Sequence, residues 1–307
     1  MKRCRLGRHI PIWEYAQSTS LVDPGETLII SDGQTRGNRM DLKLEGRRAL
    51  VTGSSSGIGE GIARMLAEEG CTVVVHGRNR ERAEKVAADI KAAGVAIGDL
   101  STDEGAAAVH AEARTALGRN IEILVNNAGG SSTGNTTKTP IEISAADFVS
   151  NYHTNTLAAV RLCRLAVPDM VAAKWGRVIN VSSAVAVQPN NLGADYSGAK
   201  AALNNFTVSL AGSLRGVGVT VNTVSPGIIM VDGLLRFGRR KYGDANLTIE
   251  AVTQRLAADK VFDLPPAGRL GTPEDLAVVV CTLASPMSGF VTGANYRVDG
   301  GQIRSVN

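Results

Sequence analysis

The chain has 307 residues, of which 34 are glycine, with 44% hydrophobic residues, 20% charged residues and a net charge of +4. This balance is that of an ordinary globular protein, since a disordered chain would hold fewer apolar residues and a collagen would repeat glycine at every third position. The longest nearly apolar run, residues 277–284, is far shorter than the ~20 residues that a membrane-spanning helix needs. We therefore expect no membrane contact.

Charge and cysteine usage exclude further classes of protein. Basic residues are interleaved with acids and aromatic residues make up only 4% of the chain, so we expect no nucleic-acid groove, which would combine a basic stripe with stacking rings. The four cysteines include no pair with CxxC spacing: Cys4, Cys71, Cys163 and Cys281. They predict reduced thiols in a cytoplasmic protein, with neither a disulfide framework nor a bound metal.

The first 39 residues differ from the rest of the chain. Their basic start is followed by no apolar segment, and four acids among them are unusual in a mitochondrial presequence, so neither export nor mitochondrial import is predicted. We expect residues 1–39 to be a poorly ordered extension or a consequence of start-site choice, with Met40 as the natural start. An arm that packs on a neighbouring subunit is the alternative.

From residue 47 onward, short β-branched runs alternate with alanine-rich segments of helical period. The runs that predict strands are 47–52, 71–75, 122–126, 177–182 and 219–224. This alternation predicts an α/β fold, a single doubly wound domain over residues 40–307 with a parallel sheet and helices on both faces. Gly70 and Gly94 are interpreted as helix stops. The long irregular stretch at about 230–268 predicts a lid over a substrate.

The first predicted strand ends in the glycine-rich turn TGSSSGIG, residues 52–59, and a helix with apolar residues on one face follows. A strand, a glycine turn and a helix together expose backbone N–H groups and the positive end of the helix to a phosphate. Glycines also let the backbone approach a pyrophosphate closely. The spacing is G-x-x-x-G-x-G, and a tight turn with incidental glycines is the alternative.

Arg78 follows the second predicted strand, where an NAD site would have an acid for the ribose 2′-hydroxyl. A guanidinium suits a ribose 2′-phosphate instead, so NADP(H) is the favoured cofactor and NAD(H) the alternative. Arg78 could also belong, with Arg80 and Arg82, to the solvated first turns of a helix.

Several motifs in the same order resemble those of the short-chain dehydrogenase/reductase family. They are TGSSSGIG at 52–59, Asp99 in GDLS, NNAG at 126–129, Asn155 in NTLAAV, Ser183 thirteen residues before Tyr196, YSGAK at 196–200 and Pro226-Gly227. The resemblance covers about residue 42 to the C-terminus. It implies a single Rossmann-fold domain with a seven-stranded parallel sheet, commonly assembled as a homotetramer.

The resemblance also assigns the site residues. It implies cofactor binding by Gly53, Ser55, Ser56, Gly57, Ile58, Gly59, Arg78, Asp99, Leu100, Asn127, Ala128, Gly129, Tyr196, Lys200, Pro226, Gly227 and Ile229. It implies catalysis by four residues, Asn155, Ser183, Tyr196 and Lys200. Tyr196 would exchange a proton with the substrate oxygen, Ser183 would orient that oxygen, Lys200 would hold the nicotinamide ribose, and Asn155 would tie Lys200 to a relay water.

Tyr196 and Lys200 stand four residues apart, so they share one face of a helix. A free tyrosine has a pKa near 10, too high for efficient proton transfer at neutral pH. We expect the nearby ammonium to lower the pKa of the phenol. The histidines His76, His110 and His153 fall in no motif and are interpreted as ordinary polar positions.

Two positions depart from the family pattern. Val231 occupies the place of a threonine that bonds the nicotinamide carboxamide in many members, so backbone groups such as those of Ile229 are expected to take that role. Ser56 stands where many NADPH-dependent members carry a basic residue, which weakens the NADP(H) prediction.

The substrate is the least determined property. The overall pattern resembles the 3-oxoacyl-carrier-protein reductases, but Pro168 and Gly212 occupy places where those enzymes present arginines to the carrier, with Arg161, Arg164 and Arg215 as substitutes. We therefore favour an oxidoreductase acting on a small or medium carbonyl or alcohol substrate. The alternatives are a carrier-protein reductase and a non-catalytic NADP(H)-binding sensor or scaffold. The lid would supply apolar contacts from Leu234, Leu235 and Phe237, while the nearby Arg236, Arg239 and Arg240 are most simply a solvated basic face.

Overall fold

The computed structural model describes residues 41–305, so every prediction about residues 1–39 and about Cys4 lies outside the described residues. The described chain forms one seven-stranded sheet. Its strands are β1 (Arg48–Val51), β2 (Thr72–Gly77), β3 (Gly94–Ile97), β4 (Ile123–Asn126), β5 (Gly176–Val181), β6 (Val219–Pro226) and β7 (Asn295–Val298). They lie in the order β3-β2-β1-β4-β5-β6-β7, with every pairing parallel. The predicted doubly wound parallel sheet is confirmed.

The helices occupy the connections between the strands. They are α1 (Gly57–Glu68), α2 (Arg80–Asp89), α3 (Asp103–Leu117), α4 (Ala145–Tyr152), α5 (Ala158–Ala172), α6 (Ala194–Ser213), α7 (Asp232–Tyr242), α8 (Ile249–Ala258) and α9 (Pro273–Ala284). A π-helical turn, His153–Leu157, joins α4 to α5. Parallel strands need such long crossovers, because a hairpin can join only antiparallel neighbours.

Alternate residues of each central strand pack into two separate cores. In β1, Ala49 and Val51 contact the core that α1 and α9 cover, whereas Leu50 contacts the core that α3, α5 and α6 cover. The side chains of Ala49, Leu50 and Val51 are all fully buried, which explains why the strand is almost continuously apolar. A third, smaller core joins α7 and α8 through Leu247, Val252 and Leu256.

The structure differs from the predicted elements at three places. The edge strands β3 and β7 were not predicted, and Gly94, interpreted as a helix stop, is the first residue of β3. The stretch 230–268 is not irregular, because it contains both α7 and α8. The short segments GVAI and NYRV carry little strand signal of their own, and each becomes a strand by pairing with one neighbour, β2 or β6.

The described cysteines are free and buried, as predicted: Cys71, Cys163 and Cys281. Burial raises the pKa of Cys71 and of Cys163 to about 12, so both thiols are protonated at neutral pH. Within residues 41–305, no group of three or more histidine, cysteine, aspartate or glutamate side chains is arranged to hold a metal ion. Nor does that part of the chain contain a helix long and apolar enough to cross a bilayer.

Candidate active site

A cleft of about 230 Å³ lies at the carboxyl ends of the strands around β1. β1 is flanked by β2 on one side and β4 on the other, so the winding of the chain reverses there, and open α/β sheets bind ligands at such switch points. Eight of the residues predicted to bind cofactor line the cleft: Gly53, Ser55, Ser56, Arg78, Asp99, Leu100, Ala128 and Gly129. The fold thus brings together residues from four separate segments of the chain.

The first turn of α1 lies beside this cleft with open hydrogen-bond donors. The N-cap of α1 is Ser56, and its side chain makes no capping hydrogen bond. The two helices that follow β2 and β3 are instead capped by the side chains of Asn79 and Thr102. The N–H groups of Gly57 and Ile58 have no acceptor inside their own helix, and they form the positive end of the helix that a pyrophosphate would bind. The residues present therefore fit a dinucleotide cofactor.

Gly59 keeps the glycine turn close to the end of β4. A Cβ atom at Gly59 would lie 2.4 Å from the Asn127 Nδ2 atom and 2.4 Å from the Gly53 carbonyl oxygen. Asn127 Nδ2 donates to the carbonyl oxygens of Thr52 and Gly53 at 2.9 and 3.1 Å. Asn127 thus fixes the shape of the turn, and it does so from beneath the cleft.

Arg78 and Asp99 supply opposite charges to the cleft. Arg78 stands between the end of β2 and the N-cap of α2, outside the helix that carries Arg80 and Arg82. It is exposed and makes no ion pair among the described residues, whereas Arg80 pairs with Glu84. A hydrogen bond from the Ser101 backbone is the main cause that lowers the pKa of Asp99, so this group is an anion at neutral pH.

His76 has a structural role that the sequence did not reveal. It is buried, and its Nδ1 atom accepts a hydrogen bond of 2.9 Å from the Gly53 N–H. The proton therefore resides on Nε2, which lies 3.3 Å from the Gly98 carbonyl oxygen. Burial lowers the pKa of His76 to about 4, so the ring is neutral at physiological pH. These two contacts hold the glycine turn against the ends of β2 and β3, so His76 is a structural residue and not an ordinary polar one.

The four predicted catalytic residues come from three elements near the carboxyl ends of β4 and β5. Ser183 follows β5, Tyr196 and Lys200 lie on α6, and Asn155 lies in the π-helical turn between α4 and α5. Lys200 is buried and its Nζ donates to the Val181 carbonyl oxygen at 2.8 Å. The same Nζ atom lies 5.8 Å from the Tyr196 ring centroid. Single π-turns are frequent at functional sites.

Burial, and not the neighbouring ammonium, dominates the ionisation of Tyr196. It raises the pKa of the phenol, and hydrogen bonding with Ser183 opposes that shift. Burial also lowers the pKa of Lys200 to about 8. The expectation that Lys200 holds the pKa of Tyr196 below its ordinary value is wrong for the chain by itself, because burial is the largest cause of the shift and raises the pKa.

Asn155 is fixed on both sides by hydrogen bonds. Its Oδ1 accepts from the Gly130 N–H at 2.8 Å, and its Nδ2 donates to the Gly130 carbonyl oxygen at 2.9 Å. Gly129 has no room for a side chain, since a Cβ there would lie 2.5 Å from Asn155 Oδ1 and 3.2 Å from Lys200 Nζ. These contacts place the NNAG segment directly against Asn155 and Lys200.

Asp195, next to Tyr196, holds Asn151 and Asn155 in place through hydrogen bonds, and no sequence motif predicted this role. It is buried, and its Oδ2 accepts hydrogen bonds from Thr133 at 2.8 Å, Asn135 at 3.1 Å and Asn151 at 2.7 Å. Burial raises the pKa of Asp195, but these hydrogen bonds outweigh it and hold the pKa below its ordinary value. Asn151 Oδ1 in turn accepts from Asn155 Nδ2 at 3.3 Å. The one feature of the sequence that could have indicated a role for Asp195 is its place as an acid in the first turn of a helix.

A second, larger cavity of about 730 Å³ adjoins Ser183, Pro226 and Gly227. Leu234, Leu235 and Phe237, predicted to supply apolar contacts there, do not line it: the two leucines pack in the α7–α8 core and Phe237 is 41% exposed. The lining instead includes residues 261–266, after α8.

Ile229 lies just beyond Gly227, where a β-bridge pairs it with Gly271. The bridge uses the carbonyl of Ile228 and the N–H of Met230, so it leaves the backbone groups of Ile229 outside the bridge. Val231 is the N-cap of α7. These positions are compatible with the predicted role of the Ile229 backbone.

The arginines considered for a carrier protein are only partly available. Arg161 is engaged with Asp103 and with the Leu100 carbonyl oxygen, and it lies 3.1 Å from His153 Nδ1. Arg164 lines a small open groove with Arg161, and Arg215 is exposed.

Comparison with known proteins agrees with this geometry. A sequence profile described as short chain dehydrogenase matches residues 47–237. The 3-oxoacyl-acyl-carrier-protein reductase of Aquifex aeolicus is 35% identical over 268 residues, which cover 85% of this chain and 99% of that protein. L-sorbose reductase from Gluconobacter frateurii, solved with NADPH and L-sorbose, superposes with a TM-score of 0.78 at 32% identity, covering 87% of this chain and all of that one.

A 7α-hydroxysteroid dehydrogenase solved with NADH and 7-oxoglycochenodeoxycholic acid has a TM-score of 0.73 at 30% identity, covering 87% of this chain and 98% of that one. The structural relatives thus bind both nicotinamide dinucleotides.

Proposed function

The chain belongs to the short-chain dehydrogenase family of oxidoreductases, and on that premise we propose that it transfers hydride between NADP(H) and a small or medium carbonyl or alcohol substrate. The observation that carries the proposal is the proximity of Ser183, Tyr196, Lys200 and Asn155 to one another and to Gly129, which lines the cleft. No single element supplies these groups, and the tertiary fold alone brings them together.

The cofactor would lie along the cleft. The open N–H groups at the start of α1 would hold the pyrophosphate, Asp99 would face the adenine, and Lys200 would hold the nicotinamide ribose. Arg78, exposed at the cleft and without an ion pair among the described residues, favours a ribose 2′-phosphate and hence NADP(H), with NAD(H) as the alternative. When bound, the nicotinamide supplies or accepts the hydride.

The chain's own residues would manage the proton. Burial raises the pKa of Tyr196, so its hydroxyl is protonated at neutral pH, the form that donates to a carbonyl oxygen during reduction. The Ser183 hydroxyl, in hydrogen-bonding contact with Tyr196, would orient that oxygen. Asn155 keeps the segment at residues 129–130 in place against Lys200. In oxidation, Tyr196 would accept the alcohol proton instead.

A substrate screen tests this function directly. Aldehydes, ketones and alcohols are offered with NADPH and with NADH, and the absorbance of the reduced cofactor is followed. We expect turnover with NADPH and its loss in Tyr196→Phe, whose NADPH affinity should stay within about threefold because the ring remains in place. Turnover in Tyr196→Phe equal to that of the unaltered chain would contradict the assignment. Tight NADPH binding without any turnover would favour the sensor or scaffold alternative.

A 3-oxoacyl-carrier-protein reductase is the second candidate, supported by the name of the Aquifex aeolicus relative. The ion pair between Arg161 and Asp103 weighs against this candidate, because it leaves Arg161 less available to an acidic carrier protein. A matched pair of substrates separates the two: a 3-oxoacyl group on the carrier protein and the same group on N-acetylcysteamine. A carrier-protein reductase would prefer the first by a large factor, and that preference would fall in Arg164→Ala and Arg215→Ala.

We propose further that the segment at about 230–268 is a lid over the substrate cavity, to whose lining it contributes residues 261–266.

We also propose that the protein is a homo-oligomer, a tetramer or a dimer. α4 exposes Phe148, Val149 and Tyr152 along a groove of about 280 Å³. Side chains of this kind commonly mark a protein interface. Sedimentation equilibrium of the full chain measures the assembly, and a monomer at micromolar concentration would contradict it.

A further inference from the structure

The 730 Å³ cavity beside Ser183 has a wall rich in hydrogen-bond donors. The wall is built from the segment after β5, the segment after β6, residues 261–266 and the C-terminal residues 301–304. Its polar side chains include two glutamines and an arginine whose hydrogen-bonding roles can be assigned.

The amide orientations of Gln188 and Gln302 follow from their backbone partners. The Arg304 N–H lies 3.0 Å from Gln188 Oε1, and the Ile228 N–H lies 3.3 Å from Gln302 Oε1. A backbone N–H can only donate, so the atom that it meets must be the amide oxygen. Each amide therefore keeps its NH₂ group as a donor, and neither NH₂ has a protein acceptor among residues 41–305.

Arg304 adds a positive charge to the same wall. Its side chain is exposed on the cavity and makes no ion pair within the described part of the chain, whereas Arg297 donates to the Ser305 carbonyl oxygen. The bond from the Arg304 backbone to Gln188 ties this residue to the segment that begins at Ser183. The backbone of Arg304 is therefore held beside the segment that carries Ser183, and its exposed side chain extends from that point.

Three side chains of the wall, Arg304, Gln188 and Gln302, offer hydrogen-bond donors to the cavity. Asp263 is the carboxylate on the lining, and it would suit a hydroxyl group or, alternatively, a cationic group of the substrate. Against it stand a guanidinium and two amide NH₂ groups on the same cavity lining, which are donors of the kind that a carboxylate accepts. An anionic substrate satisfies more of these groups than a cationic one, and an apolar acyl chain would leave all of them unpaired.

We propose, resting on the oxidoreductase function above, that the substrate is a small oxo acid or hydroxy acid whose carboxylate binds Arg304, Gln188 and Gln302. The carbonyl carbon takes the hydride and its oxygen takes a proton from Tyr196, while the carboxylate undergoes no chemistry. Arg304 is in this way a specificity-determining residue at the C-terminal end of the chain.

The test uses the full chain with oxo acids from 3-oxobutanoate to 6-oxoheptanoate, each paired with its neutral methyl ester. We expect kcat/KM to favour at least one acid over its ester by roughly 10- to 100-fold, the range of a hydrogen bond to a charged group. Arg304→Met should raise the KM of the acid toward that of its ester and so abolish the preference, and Arg304→Lys should retain part of it. Arg119→Met, an exposed arginine before the amino end of β4, is the matched control.

Binding supplies a readout that needs no turnover. Glutarate has no ketone to reduce, so calorimetric titration should show it binding to the unaltered chain and should show that binding lost in Arg304→Met. Equal kcat/KM for acid and ester, or a preference unchanged in Arg304→Met, would overturn the carboxylate assignment. A parallel loss for acid and ester would overturn it too, since it would give Arg304 a purely structural role. If no ketone is turned over, acid or ester, the proposed function itself fails.

Discussion

Replacement of Gly59 by alanine tests whether the glycine turn is shaped by close contact with β4. The added Cβ would lie 2.4 Å from both Asn127 Nδ2 and the Gly53 carbonyl oxygen, well inside van der Waals contact. The turn can yield only if Asn127 gives up its hydrogen bonds to Thr52 and Gly53. We expect both a loss of stability and a loss of cofactor affinity.

The magnitude follows from three contributions to the free energy of unfolding. Overpacking costs about 1–3 kcal/mol. Two broken hydrogen bonds cost about 1 kcal/mol each. Alanine gains about 1 kcal/mol over glycine inside a helix. The net destabilisation of Gly59→Ala is therefore about 2–4 kcal/mol.

Gly212→Ala is the matched control, because Gly212 lies on α6 and a Cβ there meets no atom within 4 Å. It should be neutral or stabilise the protein by up to about 1 kcal/mol. Urea unfolding followed by circular dichroism measures both variants, and calorimetric titration with NADPH should show Kd raised about tenfold or more in Gly59→Ala alone. If Gly59→Ala were as stable as the unaltered chain and bound NADPH equally well, the reasoning about the turn would be refuted.

Four further predictions concern the cofactor cleft, Asp195 and the cysteines. Arg78→Ala should raise the Kd of NADPH by roughly 10- to 100-fold and change that of NADH by less than about threefold, measured by fluorescence titration; equal losses would contradict a 2′-phosphate contact. Asp195→Ala should cost about 2–4 kcal/mol in urea unfolding, because it removes the acceptor of three donors, two of them on the buried side chains of Asn135 and Asn151; Asp195→Asn should cost less since it keeps one acceptor. The pKa of Asp195 is lowered in the folded state, so its contribution to stability is present above the unfolded pKa of about 4 and is lost as the pH falls through the folded pKa. The difference in the free energy of unfolding between the unaltered chain and Asp195→Asn should therefore shrink below about pH 4. A difference that stays constant with pH would contradict this prediction. The described cysteines should react with a thiol reagent at pH 8 only after unfolding, because burial raises the pKa of Cys71 and Cys163 to about 12; rapid labelling of more than one of the four thiols in the native protein would contradict it.

The sequence by itself determined the features that depend on local spacing. Five of the strands were predicted within a few residues, because buried parallel strands are continuous β-branched runs. The glycine turn was placed correctly between a strand and a helix, since its glycines reflect a backbone requirement. Tyr196 and Lys200 share a helix face for the simple reason that four residues make about one helical turn.

Only the tertiary structure decided the features that depend on contacts between distant segments. Strands β3 and β7 form only by pairing with a neighbouring strand. The structural role of His76 likewise depends on the fold, which brings Gly53 and Gly98 within hydrogen-bonding distance of its ring. The raised pKa of Tyr196 reflects burial, which no spacing encodes. The wall containing Arg304 likewise arises because the C-terminal segment folds back to residue 188, a contact across 116 positions of the chain. Local patterns specify elements and motifs, whereas burial and electrostatics are set by what the fold places around each side chain.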